Sequence, residues 1–142
     1  MKGALLTKEN FAVKVALMTR KATFVAATKS HSHMAKLIRS PKNGRLYKRK
    51  TVVHRSSAPG EAPANDTGNL LSSISHVQNE DRNGVVSSIV KVKALYGKWL
   101  EYGTSKMAER PFVRPTKEYI EPIFKEYIIS RLRKMNKDGT VA

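Results

Sequence analysis

Four histidines and a few carboxylates are the side chains of this chain that could support metal or acid–base chemistry, and their spacing gives them little to work with. His31 and His33 are two apart, so a helix turns them to different faces. A strand would align them, but no cysteine or carboxylate stands beside them to complete a ligand set. Glu61, Asp66, Glu80 and Asp81 fall in turn-rich stretches, where short acids cap or hydrogen-bond backbone. A nuclease needs carboxylates that converge on a hard cation, and nothing in the sequence anchors these four together. Gly60 and Gly68 belong to neither a GxxxxGK[ST] loop nor a GxGxxG turn. The expectation is a protein that is not an enzyme, with no catalytic residue, cofactor or metal.

The chemistry that does stand out is charge. Residues 1–59 carry 14 Lys/Arg and one acid, Glu9, whereas residues 60–142 carry 13 Lys/Arg and 10 acids. One-sided basicity makes a field with a direction, and its natural recipient is a nucleic acid or an acidic protein surface. The densest run gives the candidate contacts: Arg45, Tyr47, Lys48, Arg49, Lys50 and Arg55. Such residues hold phosphates without reading bases. Base stacking would need exposed aromatics among the cations. Only Tyr47 fits, because Phe11, Tyr96, Trp99, Tyr102, Phe112, Tyr119, Phe124 and Tyr127 fall in apolar patterns that a core uses.

These 142 residues suffice for one domain with one modest core. No apolar run nears the roughly 20 residues that cross a bilayer, and Met1-Lys2 is followed by mixed residues rather than an apolar signal core. Without cysteine there is neither a disulfide nor a thiolate metal site, which fits assembly in the cytoplasm. A membrane-surface role ranks below nucleic-acid binding, since the basic N-terminal helix lacks a strong aromatic anchor.

Positioning these residues falls to five segments. Phe11, Val15, Met18, Ala22, Val25 and Ala26 recur three or four apart and predict a helix over 10–38. Asn10 or Thr7 is its candidate cap, Ser30-His31-Ser32-His33 a weak point, and Ser40-Pro41 its stop. Residues 40–69, rich in Pro, Gly, Ser and Asn, predict an extended loop or arm whose middle could pair locally. Residues 70–93 predict a β-hairpin turning near Asn83-Gly84, with Val90 and Val92 on one face and Ile89, Lys91 and Lys93 on the other. A short helix over 95–102 should stop at Gly103, and a C-terminal helix over 115–135 should carry Tyr119, Ile120, Ile123, Phe124, Tyr127, Ile128 and Leu132 on one stripe, with Pro122 either kinking it or starting it. The fold class is α+β: a small antiparallel sheet packed by a long N-terminal helix and a C-terminal helix, with a long projecting loop.

Three blocks go further. They are Gly44-Arg45-Leu46-Tyr47 leading to His54-Arg55-Ser56-Ser57-Ala58-Pro59-Gly60-Glu61-Ala62-Pro63-Ala64-Asn65-Asp66-Thr67-Gly68-Asn69-Leu70; then Tyr96-Gly97-Lys98-Trp99-Leu100-Glu101-Tyr102-Gly103-Thr104; then Arg110-Pro111-Phe112-Val113-Arg114-Pro115. In order and spacing they resemble the HK97 gene-product-10-like family of tailed-phage neck and tail-completion (head–tail joining) proteins, over about residues 8–130. Gly97 and Tyr102 stand where the family pattern commonly has another small residue and Phe. The resemblance implies a virion protein at the head–tail junction, assembled in the host cytoplasm. It would be a homo-oligomeric ring around the DNA passage, a hexamer with a dodecamer as the alternative. The implied partners are the head-side connector, the tail-tube or tail-terminator proteins, and genome DNA phosphates; no membrane is implied. The different-class alternative is a stand-alone basic DNA-binding protein.

Within the blocks, Pro59 and Gly60 predict a turn, and Asp66 or Thr67 a cap for the segment beginning near Gly68. Gly103 and Thr104 should end the short helix, with Glu101 pairing with Arg110 or Arg114. Phe112, held near Pro115, should be an anchor that seats the last helix. These ten positions, Pro59, Gly60, Asp66, Gly68, Glu101, Gly103, Thr104, Arg110, Phe112 and Pro115, are the candidate structural or interface residues.

Overall fold

In the computed structural model, which describes residues 8–80 and 83–137, helix α1 runs from Lys8 to Arg39. Ala22, Ala27, Met34, Ala35 and Ile38 are buried along one side of it. The helix is unbroken through Ser30–His33, so the expected weak point is absent. Ser30 returns its hydroxyl to the Ala26 carbonyl at 2.8 Å, which contains its competing hydrogen bond within the helix. Asn10 lies inside α1 rather than at its cap, and Thr7 lies outside the described residues. At the other end the buried Lys42 ammonium donates to the Leu37 carbonyl at 2.6 Å, a cation on the negative end of the helix. Burial lowers the Lys42 pKa, against an opposing pull from Glu61.

The 40–69 segment is not a bare loop. Strands β1 (Leu46–Arg49) and β2 (Val52–Arg55) form an antiparallel hairpin with Leu46 opposite Arg55 and Tyr47 opposite His54. The turn at Lys50-Thr51 takes Lys50 to a φ of 54°. At the base, Gly44 N–H donates to Ser56 O and Ser56 N–H to Arg45 O, each at 3.0 Å. A Cβ at Gly44 would overlap the Ser56 carbonyl, so only glycine lets the two chains meet there.

The second hairpin begins later than its sequence suggests, because residues 69–73 form a short helix, α2 (Asn69–Ser73). Strand β3 (Ile74–Glu80) then pairs with β4 (Val86–Val92), from Ile74 opposite Val92 to Glu80 opposite Val86. Its inner face carries Ile74, Val90 and Val92 toward the core. On the outer face Val77 and Ile89 stand opposite each other in solvent. Asp81, expected in this turn, lies outside the described residues.

Helix α3 (Gly97–Tyr102) leads to α4 (Val113–Lys137), which starts two residues before Pro115. Pro115 therefore sits in the first turn, where its missing N–H has no helical acceptor to lose. Pro122 lies inside α4, so it neither starts nor ends the helix. Met34, Ile38, Leu70, Ile74 and Phe112 form the buried core, flanked by Ala62, Val90, Val92, Tyr96 and Leu100. The architecture is α+β: α1 packs along α4 and the β3–β4 hairpin, and the two antiparallel sheets are separate two-stranded units.

Candidate functional site

The basic hairpin has two unlike faces, set by its register. Tyr47, Arg49, Val52 and His54 share one face, and Leu46, Lys48, Val53 and Arg55 the other. The first face is tied to the body by Asp66, which binds the Arg49 guanidinium and lies 3.4 Å from His54 Nδ1. Tyr47 and His54 stack with ring centroids 5.6 Å apart. Arg49 is therefore occupied within the chain, whereas Arg45, Lys48, Lys50 and Arg55 present exposed cations. Arg55 also reaches back to the Gly44 carbonyl at 3.3 Å. The outer face mixes Lys48 and Arg55 with exposed Leu46 and Val53, while Arg45 stands at the base of the hairpin and Lys50 in its turn.

Asp66 thus anchors the hairpin instead of capping α2. Gly68 takes that cap position with a φ of 78° and no side-chain cap bond of its own, and the other candidate, Thr67, accepts the Asn69 N–H on its hydroxyl at 3.4 Å. Pro59 and Gly60 form the central pair of a turn closed by Glu61 N–H on Ala58 O at 3.1 Å, with Gly60 at a φ of 77°. The Glu61 carboxylate closes the same turn from the other side. It accepts Ala58 N–H at 2.8 Å and Asn43 N–H at 3.1 Å, and these bonds hold its pKa below the ordinary glutamate value. Glu61 thereby staples the two ends of the arm segment. Its position directly after Pro-Gly is the signal from which this role could have been read.

A second joint connects the other two blocks. Glu101 is buried, and its carboxylate binds the guanidinium of neither Arg110 nor Arg114, although the Arg114 guanidinium donates to the Glu101 backbone carbonyl at 3.5 Å. Its carboxylate accepts the backbone N–H groups of Phe112, Val113 and Arg114, all at 2.8 Å. These are donors at the start of α4 that have no partner within the helix, so a negative charge from α3 serves as the cap. Arg114 pairs with Glu109 at 2.9 Å. Phe112, 0% exposed, lies against the position where a Cβ on Gly97 would stand.

Thr116 donates its hydroxyl to Phe112 O at 2.7 Å and lies 3.0 Å from His33 Nδ1, so that nitrogen carries the proton. Burial and nearby Lys36 lower the His33 pKa, and its ring stacks on Tyr119 at 4.1 Å. Gly103, at a φ of 73°, ends α3 by donating to Trp99 O at 2.8 Å, and Thr104 pairs with Met107. The blocks meet where Gly60 N–H donates to Glu109 O at 2.9 Å and Arg110 N–H to Leu100 O at 2.6 Å.

Three aromatics expected in the core face water instead. Trp99 is 51% exposed, Tyr102 76% and Tyr119 half-exposed. With Leu95, 85% exposed, Trp99 and Tyr102 form the outward side of the α3 region. Among the described residues no cluster of His, Asp and Glu could hold a metal ion, and no helix is long and apolar enough to cross a membrane. No family model, curated protein or solved structure matches the chain.

Proposed function

We propose that this protein is a structural component of the neck of a tailed phage, a homo-oligomeric ring that joins the head-side connector to the tail and surrounds the DNA passage. The observation that carries the reading is the division of labour among the charged residues. Glu61, Asp66 and Glu101, the carboxylates of the resembling blocks, are all spent on internal joints, while Arg45, Lys48, Lys50 and Arg55 stand outward on a hairpin that those joints hold in place. Such an arrangement supports a scaffold presenting positive charge to a polyanion more readily than an acid–base or metal-dependent catalyst.

The exposed Trp99 and Tyr102 add to this, because such aromatic side chains dominate protein–protein contacts, and exposed Leu95 extends the apolar patch they form. On this reading the ring is a hexamer, with a dodecamer as the alternative, placed at the head–tail junction and assembled in the host cytoplasm. The partners are the connector and the tail-tube or tail-terminator proteins, and the basic hairpin meets genome phosphates without reading sequence. A stand-alone DNA-binding protein is the second reading, favoured by the same exposed cations.

Trp99, the single tryptophan of the chain, offers a direct test. Closing a ring through the α3 face should shift its emission to the blue as concentration or a neck partner drives assembly. A chain that stays monomeric or dimeric, binds free duplex tightly and leaves Trp99 in water would favour the second reading.

A further inference from the structure

We infer that the cleft between the basic hairpin and the α3–α4 joint is a receptor for a carboxylate carried on an acidic peptide segment of another protein. The cleft has a volume of about 410 Å³, and its walls include Tyr47, Arg49, Asp66, Leu70, Tyr96 and Arg110. Arg110 is the decisive residue. Its Nε is buried and finds no acceptor among the described residues. The acids nearest to it in sequence are already committed, Glu101 to the N–H groups of α4 and Glu109 to Arg114. An N–H buried without an acceptor is costly, and a turn of this half-buried side chain that lets Nε–H donate to an incoming oxyanion removes that cost.

The rest of the lining selects the kind of anion. Two arginines against one aspartate leave the walls a single net positive charge, which suits a monoanion. Asp66 disfavours a doubly charged phosphate by like-charge repulsion. Tyr47, Leu70, Tyr96 and Leu100 supply apolar surface for the methylenes of a glutamate and its neighbours, and Ser57 and Asn69 supply polar groups for peptide backbone. The occupant is therefore an acidic peptide rather than DNA, whose phosphates the outward hairpin face would meet. The inference concerns the cleft alone and stands whether or not the chain closes into a ring.

The test uses the full chain, labelled with nitrogen-15, followed by NMR at Arg110 Nε–H and the Tyr96 amide. Three probes are titrated: acetyl-Leu-Glu-Leu-amide, its Leu-Gln-Leu counterpart, and inorganic phosphate. The glutamate peptide should give saturable shifts at both sites, and the glutamine peptide should bind about tenfold or more weakly, the loss expected when a charge-assisted bond becomes a neutral one. Arg110→Lys, which keeps a cation but loses the guanidinium fork, should weaken the glutamate peptide while leaving amides remote from the cleft unmoved. Equal affinity for the two peptides, tighter binding of phosphate than of the glutamate peptide, or no saturable shift with any probe would each overturn the proposal. The peptide comparison is made on the unaltered chain, so it decides the matter even if the Arg110 variant fails to fold.

Discussion

At Glu101 one carboxylate accepts three backbone N–H groups at 2.8 Å, and the donor from Phe112 is itself buried. Removing the acceptor leaves that donor without water or partner, a cost of about 1–3 kcal/mol for the buried group alone. Glu101→Ala should therefore destabilise the chain by about 2–3 kcal/mol, and Glu101→Gln by less, because an amide oxygen still accepts. Denaturant unfolding measures both; a loss under about 0.5 kcal/mol for the alanine variant would remove Glu101 from its role as the cap. Phe112→Ala should cost about 3–5 kcal/mol, the usual range for deleting a fully buried phenylalanine. Should assembly fail while stability falls by less than about 1 kcal/mol, Phe112 would be a partner contact and not a core peg. The two residues share a joint, so their losses should not add in the double variant.

At the scale of elements, the arm is the part whose behaviour depends most on pH and salt. Glu61 has its pKa lowered by the N–H groups of Ala58 and Asn43, so the stability it contributes is complete above the ordinary carboxylate range. It is lost as pH falls through the lowered folded value. Amide exchange at Asn43 and Ala58, corrected for the intrinsic effect of pH, should accelerate over that acid interval, and Glu61→Gln should abolish the acid step. Salt tests the outward face. If the hairpin meets duplex phosphates, log affinity should fall against log salt with a slope of roughly −0.9 per contact. Neutralising Arg45, Lys48, Lys50 and Arg55 together should flatten the slope, while Arg49, already paired with Asp66, should matter less. An unchanged slope after the fourfold substitution would exclude this face as the DNA contact.

Legibility in the sequence also divides by element. Helical periodicity over 10–38 and alternation around Val90 and Val92 are local signals, and the burial pattern follows them. The five residues of α2 are too few to carry a period, so Leu70 reads as strand although it is helical and buried. The role of Glu101 could not be read from spacing, because its partners are backbone N–H groups and the nearby arginines offered a simpler pairing. Trp99 and Tyr102 misled for another reason. In the α3 region large apolar side chains point both ways, and only packing reveals that Tyr96 and Leu100 turn inward while Leu95, Trp99 and Tyr102 turn out.

For the whole molecule, two short sheets with open edges, an outward aromatic face and a basic hairpin describe a chain with more surface prepared for contact than its own core uses. The uneven charge adds direction: the basic half ends in the hairpin, and most of the acids follow it. In the proposed ring, cyclic symmetry repeats that hairpin around one axis, so cations modest in each subunit sum around the passage. The measurement that bears most directly on the central claim is imaging of purified particles by electron cryo-microscopy, with the copies of this chain counted at the head–tail junction. The account predicts a closed ring of six subunits, or twelve in the alternative stoichiometry, with the 46–55 hairpins facing a neighbour or the DNA channel. Particles that lack the protein, or that carry one copy outside any ring, would contradict it.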